Sequence, residues 1–176
     1  MVFAMTNDNP SAFLFTWSTY GTWLPGDARG WVEYRHGFQL PSPILELECA
    51  ARMTEEACRL APHQRERVHE QVAETCEHKQ WVLHAVNCRT NHVHVVLSST
   101  ANPKAIREQL KAWCSRRLNE QQADFGIPEQ ERRAKWWADR GSIRWIFREM
   151  DLEAAIDYVL NQQDNPRRFV RVPLPR

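Results

Sequence analysis

The sequence predicts an α+β fold: an antiparallel sheet with helices on one face, plus a C-terminal helix that bears a tyrosine. Three observations predict it. Residues 81–88 and 92–98 are two apolar runs separated by Arg89, Thr90 and Asn91, the pattern of a β-hairpin. Residues 13–21, FLFTWSTYG, alternate aromatic and hydroxyl side chains, as a strand with two unlike faces does. Helical periodicity runs through 54–79, 102–122 and 152–163, between and after those strands.

After the first strand come Pro25-Gly26, Gly30, Pro41 and Pro43, so 21–52 reads as a long irregular connection. Loops of that length in a small domain are usually functional or mobile. Residues 54–79 read as a helix broken or restarted near Pro62, and in its second piece Val68, Val72 and Cys76 recur every fourth residue between charged faces. In 102–122, Ile106, Leu110 and Trp113 share one face, while Lys104, Arg107 and Lys111 share another. The polar, basic stretch 123–141 reads as a loop and 142–148 as a short strand. Asp151 is the expected N-cap of the last helix, which Asn165-Pro166 ends. The order strand, helix, strand, strand, helix, strand, helix is that of a ferredoxin-like sheet. Such a sheet leaves its second face to a ligand or an additional helix.

With 176 residues, 43% hydrophobic and 26% charged, the chain has the length and composition of one globular domain. The expectation is a single domain over 1–176, with ten to twelve flexible residues at its start and a basic tail from about 166. No stretch approaches the roughly 20 apolar residues that span a bilayer, and the start lacks the pattern of a signal peptide. A cytoplasmic protein with no membrane partner is expected. Cys49, Cys58, Cys76, Cys88 and Cys114 include no C-x-x-C pair, which argues for reduced thiols and against a zinc knuckle. Net charge is only +1, but it is uneven. Residues 1–100 carry 8 Lys/Arg against 11 Asp/Glu, and residues 101–176 carry 15 against 11. A cationic second half suits a phosphate-bearing partner.

The chemistry-bearing stretch is NHVHVVL, residues 91–97. Side chains alternate faces along a strand, so His92 and His94 point to the same side, about 7 Å apart. Two imidazoles so placed can converge on one metal ion and leave most of its coordination shell open to a substrate. They can equally be satisfied polar residues, and His84 in the preceding strand lacks a partner at the same spacing. In the last helix, Tyr158 and Gln162 are four apart and share a side. They lie at the edge of the apolar stripe formed by Leu152, Ile156 and Val159. If that stripe packs on the sheet, the edge faces the histidines. Packing of the tyrosine and solvation of the glutamine is the plainer reading of those two residues alone.

Together, NHVHVVL and the later helical YVLNQ resemble the HUH single-tyrosine transposases, which include small insertion-sequence transposases and REP-associated tyrosine transposases. HUH stands for His-hydrophobic-His, here His92-Val93-His94. The opening TWSTYGTWLPGDARGWV is similar to a stretch near the start of such proteins, and the likeness extends from Phe13 to about Phe169. The resemblance implies a ferredoxin-like (RRM-like) fold. It implies a metal-dependent enzyme that nicks and rejoins single-stranded or hairpin DNA, with Tyr158 as nucleophile and a 5′-phosphotyrosine intermediate. It implies one divalent cation, Mg²⁺ or Mn²⁺, on His92, His94 and Gln162. Many REP-associated members carry Asn-Pro beginning four residues after the tyrosine. This chain has Gln162 there and Asn165-Pro166 later, which leaves the subgroup open, as monomer or homodimer is left open.

Eight tryptophans supply candidate base-stacking platforms. Trp17 and Trp145 read mostly as core, whereas Trp23, Trp31, Trp136 and Trp137 fall in expected loops and are the better DNA-binding candidates. Lys104, Arg107, Lys111, Arg116 and Arg117 are candidates to track a phosphate backbone, although a charged helix face is more often merely solvated. Two readings compete with the transposase: a catalytically silent hairpin DNA- or RNA-binding module of the same fold, and a metal-dependent hydrolase that needs no tyrosine.

Overall fold

The computed structural model describes residues 10–33 and 35–162 and the backbone of 170–171. Its strands are β1 (Ala12–Ser18), β2 (Trp31–Glu33), β3 (Gly37–Gln39), β4 (Val82–Cys88), β5 (His92–Ser98), β6 (Ser142–Ile146) and β7 (Val170–Arg171). Its helices are α1 (Pro43–Ala51), α2 (Pro62–Lys79), α3 (Pro103–Asp124) and α4 (Glu149–Asn161). The expected flexible start and the arginines of the basic tail lie outside the described residues, apart from the backbone of Arg171.

The main sheet has the antiparallel order β6-β1-β5-β4-β7. Its first four strands, with α2 and α3 between them in the chain, are the ferredoxin-like arrangement. β1 shows why the sheet has two different faces. Phe13, Phe15 and Trp17 join Val93, Val95 and Leu97 of β5 in the core under α2 and α3. Helix α2 adds Val68, Val72 and Cys76 to that core, and α3 adds Ile106, Leu110, Cys114 and Leu118. Ala12 and Leu14 alternate to the opposite face. There they meet Ala85, Val96 and the stripe Leu152, Ala155, Ile156, Val159 and Leu160 of α4. The last helix therefore covers the face that the first two helices leave open.

Several local expectations are corrected. The 54–79 helix starts only at Pro62, whose fixed φ and missing N–H suit the first helical position. Pro43 likewise starts α1, inside the stretch expected to be irregular, and β2 and β3 form a small hairpin there. Helix α4 begins at Glu149 with Arg148 as its N-cap residue; Asp151 lies in the first turn and pairs with Arg148. Trp113 is turned out from the α3 core face, under the Arg116 guanidinium, and Cys114 packs inward in its place. Trp145 is 50% exposed on the edge strand β6, whose opposite face, through Ile146, is the one that packs with α4. All five cysteines are free thiols, as expected. Among the described residues, no helix is long and apolar enough to cross a membrane.

Candidate active site

On the α4 face of the sheet, the residues following Leu14 on β1 are the small polar Thr16 and Ser18. Thr16 pairs with His94 and Ser18 with His92. Above them α4 contributes the small Ala154 and Ala155. Short side chains on both sides leave a cavity of about 570 Å³, into which His92, His94 and Tyr158 all open.

The imidazoles lean together, with ring centroids 4.7 Å apart and planes at 81°. Each is held through Nδ1. His92 Nδ1 lies 2.8 Å from Asn91 Oδ1, an atom that can only accept, so Nδ1 is the donor and Nε2 is the nitrogen left for a ligand. His94 Nδ1 shares a 2.8 Å hydrogen bond with the Thr16 hydroxyl. Burial, assisted by the adjacent His92 and by the Arg89 charge, pushes the His94 imidazole down to about 3. It is therefore neutral at physiological pH, the state in which an imidazole can ligate a metal. Neutral rings oriented by hydrogen bonds on one nitrogen are the usual form of metal-binding histidines. The pair fits a divalent cation as two nitrogen donors. Among the described residues, no group of three His, Cys, Asp or Glu side chains is placed to hold a metal ion.

Tyr158 stands over this pair. Its ring is 5.6 Å from the His94 ring at 78°, and the residue is 40% exposed, open to a substrate. Its height is set from the sheet. Asn87, buried on β4 and paired with His94, donates from Nδ2 to the Val159 carbonyl at 3.1 Å. That carbonyl belongs to the last turn of α4, where intrahelical partners run out. Gln162 is not brought to the cavity. Helix α4 ends at Asn161, and the Gln162 amide donates to Asp157 at 2.9 Å on the exposed side. His84 sits at a β-bulge away from the cavity, bound through Nε2 to Ser98 Oγ at 2.7 Å.

The 21–52 excursion closes one end of the cavity with Thr22, Trp23 and Arg29. Gly26, at φ +92, lies against the backbone of Ser42 and Glu46, where a Cβ would collide. That contact and the Ser42 N–H bond to the Gly26 carbonyl tie the loop to the start of α1. Trp23 donates to the Gly30 carbonyl at 2.8 Å. The other aromatic candidates divide. Trp31 is partly buried on β2. Trp136 is only 2% exposed and donates to Asn119 Oδ1. Trp137 packs edge-on against Trp17 and donates to the Lys111 carbonyl. Neither Trp136 nor Trp137 is a base platform, because the 123–141 segment folds back on α3 and pairs Thr19 with Trp137.

The basic candidates divide in the same way. Lys111 is 8% exposed and its ammonium binds the Ala138 and Arg140 carbonyls at 2.8 Å, so it is a structural residue and not a phosphate ligand. Arg107 donates to the Gly141 carbonyl and pairs with Glu108. Arg116 pairs with Glu120, and Arg117 with Glu74. Lys104 is exposed beside a shallow groove with Arg107 and Trp145. None of these five lines the histidine cavity. The sequence reading missed Asn87, Thr16, Arg29 and Arg144. Thr16 was open to deduction, since strand alternation sets it on one face with the histidines once β1 and β5 pair.

Residues 49–162 match the model of the IS200-like transposase family, well over half of the chain. The chain belongs to that family. As an IS200-like transposase it is an enzyme of DNA transposition, and its two histidines and Tyr158 lie within or beside the matched region's sheet and last helix. Among solved structures, it is similar to a REP-associated tyrosine transposase bound to a REP hairpin, at 10% identity, TM-score 0.49, over 92% of this chain and 72% of that one. It is also similar to a chain from Deinococcus radiodurans described as a transposase, at 13% identity, TM-score 0.46, over 92% and 98% of the two chains. No curated protein matches the sequence.

Proposed function

We propose that this transposase cuts and rejoins single-stranded DNA through Tyr158, with one divalent cation, Mg²⁺ or Mn²⁺, held by His92 and His94. The observation that carries this reading is the meeting of Tyr158 with the histidine pair at one cavity, from opposite sides of the sheet–helix interface. A bound divalent cation supplies charge neutralisation on a non-bridging phosphate oxygen. The two imidazoles would be its nitrogen donors, and Asn91 and Thr16 keep their rings turned to the cavity. Gln162 joins them only if its carboxamide leaves Asp157, so it stands as a mobile third donor in this reading.

The tyrosine does the covalent work. Its phenolic oxygen forms a bond to phosphorus while the bond from phosphorus to the 3′-oxygen breaks. The phenol proton passes to water at the open side of the cavity, and the departing 3′-oxygen takes up a proton to become a hydroxyl. The product is a 5′-phosphotyrosine ester, which a second 3′-hydroxyl attacks in the reverse sense to rejoin a strand. One phosphodiester replaces another, so no nucleotide triphosphate is consumed. The substrate in this reading is unpaired DNA flanked by a hairpin, and the working unit is one copy or a homodimer.

The test is denaturant-resistant adduct formation with single-stranded and hairpin oligonucleotides from the DNA flanking the gene, in Mn²⁺. Wild-type protein is expected to form adducts, and Tyr158→Phe to bind the same oligonucleotides without forming any. Adducts that persist in Tyr158→Phe would remove the tyrosine from the mechanism.

A further inference from the structure

Among the described residues, the lining of the histidine cavity contains no carboxylate. Its ionisable groups among those residues are the two histidines, Tyr158, Arg29 and Arg144. The two arginines differ. Arg29 is already committed: its Nε and Nη2 fork onto Asp27 at 2.8 and 2.6 Å, and Nη2 also reaches the Thr22 carbonyl at 3.1 Å. That fork holds the Asp27 carboxyl down at about 2. Arg29 also lies over the Trp23 ring, 5.6 Å from its centroid. The Asp27–Arg29 pair is thus a brace: it covers one side of the indole, while the Gly30 carbonyl fixes its N–H. Trp23 remains 45% exposed at the cavity.

Arg144 is different. It lies on β6 opposite Leu14, on the sheet face that carries the histidines. Among the described residues its side chain makes no hydrogen bond or ion pair. The acid it influences, Asp151, is taken by Arg148 at 2.7 and 3.0 Å. Two strand spacings and one side-chain repeat separate its Cα from that of His94, roughly 12 Å, and an extended guanidinium shortens that span. The cavity therefore has an unneutralised cation on the sheet-edge side and a braced, half-open indole on the loop side, with Tyr158 and the histidines in the same space.

We propose that Arg144 binds a backbone phosphate of the single-stranded DNA and that Trp23 stacks on one of its bases, so that the two fix the strand's register across the cavity. The inference rests on the proposed DNA-cutting role of this site. It assigns the substrate contacts to residues outside the α3 helix face, where Arg107, Lys111, Arg116 and Arg117 are engaged by acids or by carbonyls. Electrostatic and stacking contacts leave different signatures. A phosphate contact to single-stranded DNA contributes about −0.7 to the slope of log affinity against log salt, and a stacking contact contributes none.

The experiment is a salt titration of binding to mixed-sequence single-stranded DNA, which needs no cleavage and no known target. Arg144→Ala is expected to make the slope shallower by about 0.7, with Arg144→Lys restoring it. Trp23→Ala is expected to lower affinity about 5- to 150-fold, the equivalent of about 1–3 kcal/mol for a stacked base, at unchanged slope. Trp23→Phe is expected to recover part of that loss. Arg67→Ala, an ion-paired residue on α2 outside the cavity, is the control and leaves both quantities unchanged. An unchanged slope in Arg144→Ala, or an equal change in Arg67→Ala, overturns the phosphate contact. Unchanged affinity in Trp23→Ala overturns the stack. Either failure is separate from the adduct test, since adducts lost in Tyr158→Phe would still stand.

Discussion

Asn87→Leu tests how the catalytic helix is held at its working height. Asn87 is 4% exposed and gives its Nδ2 hydrogen bond to the Val159 carbonyl, one residue beyond Tyr158. Helix α4 stops at Asn161, so within the helix that carbonyl has no amide four residues on. Leucine keeps the branched shape of asparagine but donates nothing. A buried carbonyl left unsatisfied costs about 1–3 kcal/mol. If the cost falls on the docking of α4, opening of its last two turns becomes about 5- to 150-fold more frequent. Amide hydrogen exchange reads this directly. Protection at 155–160 is expected to fall by that factor while β1 and β5 amides keep theirs, and adduct yield is expected to fall with it. Unchanged protection at 155–160 would refute the reasoning, as would an equal fall in every element.

The buried, neutral state of His94 predicts a pH effect on the metal-free protein. Its folded pKa is depressed to about 3, so between that value and the ordinary imidazole range the unfolded chain binds the extra proton. Stability is complete above about pH 6.5 and declines as pH falls toward 3, by up to about 1.4 kcal/mol per pH unit for this group. Urea unfolding across that window is expected to show a shallower decline in His94→Gln; equal slopes would refute it. Gly141→Ala is expected to destabilise by at least about 1–3 kcal/mol from backbone strain, because Gly141 sits at φ +134 and a Cβ would come 2.5 Å from the Thr16 carbonyl oxygen. Gly126→Ala, with open space around it at φ +70, is expected to cost less in the same thermal melt. Asp27→Asn removes the carboxylate that braces Arg29 and is expected to increase quenching of Trp23 fluorescence by iodide.

The histidine pair was legible because strand alternation is a local rule: once 92–98 is a strand, both imidazoles share a face whatever the rest of the chain does. The α4 stripe was legible for the same reason, and it carried Tyr158 to the correct edge. Gln162 was not, because the four-residue spacing holds only inside a helix and α4 ends one residue before it. Trp136 and Lys111 were misread because their surroundings come from far along the chain. The 123–141 segment turns back over α3, burying one and taking the ammonium of the other on its carbonyls. Pro43 read as part of an irregular connection and Pro62 as a break or a restart; both are helix starts, the position where a helix loses nothing by lacking an N–H. Arg144 and Asn87 had no local signal. Their roles depend on which strands become neighbours and on where α4 lands.

The phenol–phosphate bond can be located without changing a residue. Trypsin cleavage after Arg148 and Arg167 releases a peptide whose only tyrosine is Tyr158. Mass spectrometry of wild-type protein reacted with single-stranded DNA and nuclease-trimmed is expected to find the nucleotide remnant on that peptide, fragmenting at Tyr158. A remnant on any other peptide would contradict the assignment of the nucleophile.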